Sequence, residues 1–168
     1  MASKDVEDRV ERLIEANAAS LLGFFMRRTT NPEDAADLFS ETLLVTWRRA
    51  KSLPGNDDEA RLWLFGVARR VVSTQRRGQQ RRDALHDRLR SQLAASADQP
   101  DPDHVDVIAA LSKLETLDQE IIRLVHWDGF TQAETAKLLD LPEGTVRSRH
   151  HRARQRLRAQ LEGFTAAR

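Results

Sequence analysis

Cysteine is missing from all 168 residues of the chain. With it go disulfides, thiolate zinc sites, cysteine nucleophiles and any thiol sensing by the chain itself. Tyrosine is missing too, aromatic residues make up only 5% of the chain, and there are seven glycines and five prolines. With Gly and Pro this sparse and Leu, Ala and Arg dominant, the composition points to an all-α protein. No stretch approaches the ~20 apolar residues that span a bilayer. The N-terminus, MASKDVEDRVERL, is charged and lacks the apolar run of a signal peptide. A cytoplasmic location without membrane insertion is therefore expected.

What is present is charge, and it is segregated. The formal net charge is only +1. Residues 61–82 nonetheless carry seven arginines and no acid, whereas 33–41 and 98–106 are acidic. Such sorting implies one surface for a polyanion and another for a different partner.

The most informative stretch is FTQAETAKLLDLPEGTVRSRHHRARQRLR, residues 130–158. Thr131 and Glu134 form a capping box that starts a short helix. Leu138 and Leu139 end it, and Asp140-Leu141-Pro142 turns the chain, with Asp tolerant of a left-handed backbone. Pro142 in a first-turn position opens a second helix, with Glu143 set against its dipole. At about 100° per residue, Val146, His150, Ala153, Leu157 and Leu161 share the side expected to face a core. Gly144, Ser148, His151 and Gln155 point the other way, flanked by Arg147, Arg152 and Arg158. Small residues first and arginines behind suit a helix that enters a DNA major groove; the plainer alternative is a basic, solvated face.

Upstream, periodicity predicts helices over 5–28, 32–51 and 58–77. On the first, Val6, Val10, Leu13, Ile14, Leu21 and Phe25 fall near helical spacing. Asn31 caps the second and Pro32 opens it, with Leu38, Thr42, Val45 and Arg49 along one side. Leu53-Pro54-Gly55-Asn56-Asp57-Asp58 reads as a loop. On the third, Leu62, Phe65, Arg69 and Val72 mark one stripe, with Trp63, Val67 and Val71 beside it. After Gly78 the pattern weakens, though Leu85, Leu89 and Leu93 could prolong the helix. Residues 94–103 are small, acidic and proline-broken, which suits a flexible tether. Further helices are predicted over 106–113, 118–127, 131–138 and 142–162. The expected architecture is two small helical domains, 1–82 and 106–168, joined by a linker over 83–105; the second is a helix-turn-helix domain.

Chemistry-bearing clusters are few. Asp34, Asp37 and Glu41 share one face of the second helix. They read as a solvated acidic face, as a dock for a basic partner, or as a metal site that lacks a nearby His or a second carboxylate helix. Arg69, Arg70, Arg76, Arg77, Arg81 and Arg82, with Trp63 and Phe65, could hold phosphates and stack bases, or the two aromatics could belong to the core. The five histidines have no metal-ligand spacing. His150 is expected to be packed and His151 to face the groove. No paired acid and base, Ser/His/Asp set or phosphate-cradling loop appears, so neither catalysis nor a cofactor is expected.

These blocks, in order, resemble the extracytoplasmic-function (ECF) group of bacterial RNA polymerase sigma factors. NPEDAADLFSETLLVTWRR resembles the family's core-binding region. RLWLFGVARRVVSTQRR resembles its segment for the minus-ten element, and the segment from Leu114 to Arg158 its minus-thirty-five domain. GTVRSR followed by HRARQRLR is the most specific match. The resemblance implies a promoter-specificity subunit whose partners are core RNA polymerase (its β′ clamp helices and β subunit), promoter DNA and, in many members, an anti-sigma factor. It implies that Asp34, Asp37, Leu38, Glu41 and Trp47 dock on the polymerase. The loop 53–60, with Gly55 and Asn56, would capture an unstacked base, while Arg61, Trp63, Arg69, Arg70, Arg76 and Arg77 would support that strand and the adjacent duplex. Arg147, Ser148, His151 and Arg152 would read the minus-thirty-five element, with Thr145 and Arg154 nearer phosphates. The chain departs from the family pattern at Arg70, where Asn is common, at Thr74-Gln75, at Asp140 and at His150. Two other readings stay in view: a stand-alone helix-turn-helix repressor and a metal-dependent enzyme built on the Asp34 cluster.

Overall fold

The computed structural model describes residues 2–90 and 105–166, with side chains described over 4–78 and 107–162. No strand occurs among the described residues. The chain divides into two compact units, Met1–Ala94 and Ala95–Arg168.

The first unit contains α1 (Ala2–Met26), α2 (Pro32–Arg48) and α3 (Asp57–Arg90). A short 3₁₀ turn, Ala50–Ser52, lies between α2 and α3. Asn31 caps α2 as expected: it is extended, and its side chain accepts from the Glu33 N–H, with Pro32 opening the helix. Two helices pack against α1 rather than one, so its buried face is wider than a single stripe. It includes Val10, Leu13, Leu21, Phe24 and Phe25, while Val6 and Ile14 are half-buried. Phe24 stands edge-on to both Phe25 and Phe65, at centroid distances of 5.3 and 5.5 Å, the geometry ring quadrupoles favour.

On α2 the buried stripe is Ala35, Leu38, Thr42 and Thr46, not the expected Leu38, Thr42, Val45 and Arg49. The two threonines bury their hydroxyls by donating to the carbonyls of Leu38 and Thr42, each at 2.7 Å. Local satisfaction of this kind makes a polar residue tolerable in a core. On α3, Leu64, Phe65, Ala68, Val71 and Val72 are buried, whereas Leu62, Trp63 and Arg69 are half-buried. The α3 backbone runs on past Gly78 to Arg90, well beyond the expected end at Arg77; the Arg, Gln, Ala and Leu residues there have high helix propensity. The tether expected over 94–103 lies outside the described residues.

The second unit contains α4 (Val105–Ser112), α5 (Thr116–His126), α6 (Gln132–Leu139) and α7 (Glu143–Ala166). Gly129, at φ +72°, occupies the left-handed region after α5 that glycine enters at no steric cost. The Thr131/Glu134 capping box is complete, placing Thr131 at the cap rather than within α6. Asp140 adopts φ 54° and the Leu141 N–H closes onto the Ala136 carbonyl at 3.0 Å, so the turn forms as its chemistry requires. Pro142 stands just before α7, its carbonyl taking the N–H groups of Thr145 and Val146 at 3.0 and 3.2 Å. Two apolar clusters seat α7. Ala153 joins Leu111, Leu114 and Ile122 with Leu157 alongside, and Val146 joins Ile121 and Ala136 against Leu117, Leu139 and Leu141.

Candidate nucleic-acid interface

The exposed side of α7 follows from what its buried side does. Val146, His150 and Ala153 are buried, which turns Gly144, Arg147, Ser148, His151, Arg152, Arg154, Gln155 and Arg158 outward, with Thr145 half-exposed. The register is locked by charge as well as by packing. Asp118 of α5 is only 4% exposed and accepts from Arg149 at 2.8 Å, with Arg156 at 3.9 Å and Glu115 also on Arg149 at 3.1 Å. The hydrogen bonds it donates to Asp118 and then to Glu115 push the Arg149 guanidinium further above its already high value. Two of the six arginines between 147 and 158 therefore face the scaffold, not the groove.

Of the expected readers, Arg147 is held by Glu143 at 2.7 Å in an exposed pair. A surface pair of this kind is exchanged for a base or phosphate at little cost. The Ser148 hydroxyl donates to the Thr145 carbonyl at 3.1 Å, which ties it back to its own helix. His151 and Arg154 line an open groove of about 970 Å³ together with Trp127 and Leu161. Arg158 is paired with Glu162 at 2.8 Å.

His150 has a partner that sequence periodicity did not reveal. Its Nε2 lies 2.9 Å from the Nε2 of His126, the rings stack at 5.1 Å, and the Gln132 side-chain nitrogen lies 3.0 Å from its Nδ1. With Gln132 donating to His150, and His150 to His126, the chain is satisfied with both rings neutral. Burial lowers both histidines below the ordinary imidazole value, and Arg154 adds to this for both; for His150 the neighbouring His126 and His151 contribute as well. One link thereby joins α5, α6 and α7.

In the first unit the expected residues scatter over three settings. Asp37 and Glu41 are exposed and Asp34 is half-exposed on α2. Leu38 is corrected: at 1% exposure it belongs to the core, because it lies on the side of α2 that faces α1 and α3. The exposed apolar residues beside the acids are instead Leu44 at 57% and Trp47 at 41%. Leu44 was legible as i+3 from Glu41, outside the buried stripe. No metal-binding cluster of three or more His, Asp or Glu occurs among the described residues.

Asn56 caps α3, its Oδ1 accepting from the N–H groups of Asp58 and Glu59 at 2.9 and 3.2 Å, so its side chain is already engaged. Gly55 is exposed, with open space where a side chain would stand. Arg61 lies 5.2 Å over the Phe65 ring, and Trp63 is half-buried beside it. Further along, Arg70, Arg76 and Arg77 are exposed and Arg69 is half-buried. Arg76 reaches the Arg28 carbonyl at 3.4 Å and Arg77 the Ser73 carbonyl at 3.2 Å. Between α1 and the start of α3 lies a cavity of about 410 Å³.

Comparison with known proteins places both units. The family pattern described as Sigma-70 region 2 matches residues 13–82, and that described as Sigma-70, region 4 matches residues 104–157. The chain is 30% identical over 157 residues to the ECF RNA polymerase sigma factor SigL of Mycobacterium tuberculosis, covering 89% of this chain and 87% of that one. It is 32% identical over 153 residues to the ECF RNA polymerase sigma factor EcfG of Rhodopseudomonas palustris, covering 88% and 82%. Among solved structures, the sigma factor RpoE in complex with the anti-sigma factor NepR from Bartonella quintana matches with a TM-score of 0.69 and 27% identity, over 95% of this chain and 98% of that one. CnrH in complex with the cytosolic domain of CnrY shares the fold at a TM-score of 0.65 and 22% identity, over 94% of this chain and 90% of that one.

Proposed function

Since the chain belongs to the ECF group of RNA polymerase sigma factors, we propose that its two units grip a promoter at two points while the first also holds the polymerase. It is a transcription initiation factor, not a stand-alone repressor. In our reading residues 1–82 bind core polymerase and the minus-ten element, 83–105 link, and 106–168 bind the minus-thirty-five element. Asp34, Asp37 and Glu41, with Leu44 and Trp47, dock on the β′ clamp helices. Arg61, Trp63, Arg69, Arg70, Arg76 and Arg77 line the path of the non-template strand, and Arg147, Ser148, His151 and Arg152 meet base edges. Opening needs no chemical catalysis: captured bases and polymerase contacts offset lost stacking, roughly a few kcal/mol per flipped base. Tethering two weak sites to one polymerase raises the effective concentration of each at a correctly spaced pair of elements.

The observation that carries this reading is the sorting of α7, which buries Val146 and Ala153 and turns an arginine-rich face outward. By likeness to the RpoE–NepR complex, an anti-sigma partner is part of the proposal. Adding the purified protein to sigma-free core polymerase tests the whole. Promoter-dependent transcripts are expected, and failure to associate with core would sink it. Asp37→Ala with Glu41→Ala weakens core binding while leaving duplex DNA contacts of the second unit intact; normal core binding by that variant would reject the docking face.

A further inference from the structure

We infer that Gln132, His150 and His126 form a proton-sensitive link that aims α7, so that acidification blunts sequence discrimination at the minus-thirty-five element. This rests on the reading that α7 meets base edges; Gln132 and His126 act through α7 as positioning residues on other helices. His150 stands between Arg149 and His151 but is only 5% exposed. Gln132 of α6 is half-buried and His126 of α5 is exposed, so the link runs from the core to solvent. Side chains that read bases need placement within about 0.5 Å. Among the described contacts that seat α7, this one is built of imidazoles, the side chain that changes charge between about pH 5 and 8.

The proton count makes the link sensitive. With both rings neutral, one proton lies between the two Nε2 atoms, 2.9 Å apart, and the Gln132 amide donates to the His150 Nδ1 at 3.0 Å. An added proton finds no free lone pair within the link. On the His126 Nε2 it sets two N–H groups against each other; on the His150 Nδ1 it meets the N–H of the amide. The link survives only if the amide turns over to present its oxygen. The surrounding groups oppose the proton as well: α5 contributes His126 itself, α6 the uncharged Gln132, and α7 Arg154 and His151, with no acid among them. His151, on the outward face, responds in the opposite sense. Once protonated it attracts phosphate and strengthens binding to every sequence alike. Acidification therefore lowers discrimination without lowering total binding.

The test uses holoenzyme made from the full chain and core polymerase, selecting promoter DNA randomised across the minus-thirty-five element at about pH 7.5 and about pH 5.5. Between the two, wild-type protein loses about tenfold in discrimination, the worth of one base-pair preference, while total retention holds or rises. His150→Leu, its fold confirmed by melting curves, discriminates equally at both. Gln132→Glu needs no repacking and is the sharper variant. Its carboxylate accepts from a protonated His150 Nδ1, so the link holds one more proton and discrimination persists in acid; any repulsion of phosphate lowers retention of every sequence alike. Constant discrimination by wild type overturns the inference, as does a collapse of total retention in the same step, the mark of unfolding. A loss that persists in both folded variants also overturns it and assigns the pH dependence to His151. If wild type does not discriminate even at the higher pH, base reading by α7 fails, and the inference falls with it.

Discussion

The two helical units solve the same packing problem with different interiors. The first closes around Phe24, Phe25 and Phe65, and among the described residues its buried polar ones are Asn17, Thr42 and Thr46. The second closes around Ile121, Ile122, Leu124 and Phe130 and also buries Asp118, Asp128, Thr135 and His150. Apolar burial is non-directional, whereas a buried carboxylate gripping arginines fixes a geometry. The unit with the ionic interior is the one whose proposed DNA contacts lie on a single helix. Packing supplies stability in the first, and polar links set register in the second.

The largest effect expected is on the aromatic interior. Phe24→Ala should cost about 3–5 kcal/mol of stability. In denaturant unfolding of the full chain, the transition of the first unit shifts while that of the second stays. A common shift of both transitions would mean that the units are not independent.

Next comes the exposed face of α7. Arg147→Ala should lower binding by about 1–3 kcal/mol at one base position of the duplex and little elsewhere. Equal loss on every sequence, read by fluorescence anisotropy, would move Arg147 to the phosphate contacts. Thr131→Ala removes the cap and half of the box, a loss of about 1 kcal/mol, visible as a lower melting temperature of the second unit alone.

The smallest effect separates the interiors by pH. His126 and His150 are lowered from 6.5 in the folded chain, so below that value the unfolded state binds more protons than the folded one. Their contribution is full above the ordinary value and is lost as pH falls through the lowered folded values. Between about pH 7.5 and pH 5 the second unit should lose stability more steeply than the first, and His150→Leu should flatten that slope. Arg154 and His151, the charged and titratable neighbours of the pair, sharpen the loss, since each disfavours an added proton. Equal slopes in the two units would remove the histidine pair from the account.

Helix number and type, the α2 cap, the capping box at Thr131, the left-handed Asp140 and the outward face of α7 were all legible along the chain. Each depends on neighbours within about one helical turn, where spacing and capping chemistry act directly. Periodicity placed Leu38 and Thr42 on the buried stripe of α2 but also Val45 and Arg49, in place of Ala35 and Thr46. It was the resemblance that assigned Leu38 to a docking surface. Periodicity marks a helix's apolar side but not how many neighbours cover it. The end of α3 was misread because composition fades gradually where a helix does not.

The sequence by itself determined the all-helical class, the segregated charge and the identity of the outward residues on α7. Only the tertiary structure decided that Arg149 and Arg156 serve Asp118 and that His150 meets His126. In each case the partners, or the competing uses of one side chain, become apparent only when helices pack. Residues 130–158 carried the groove-facing pattern locally. The packing of α7 against α5 and α6 determined which of its arginines remain to use it.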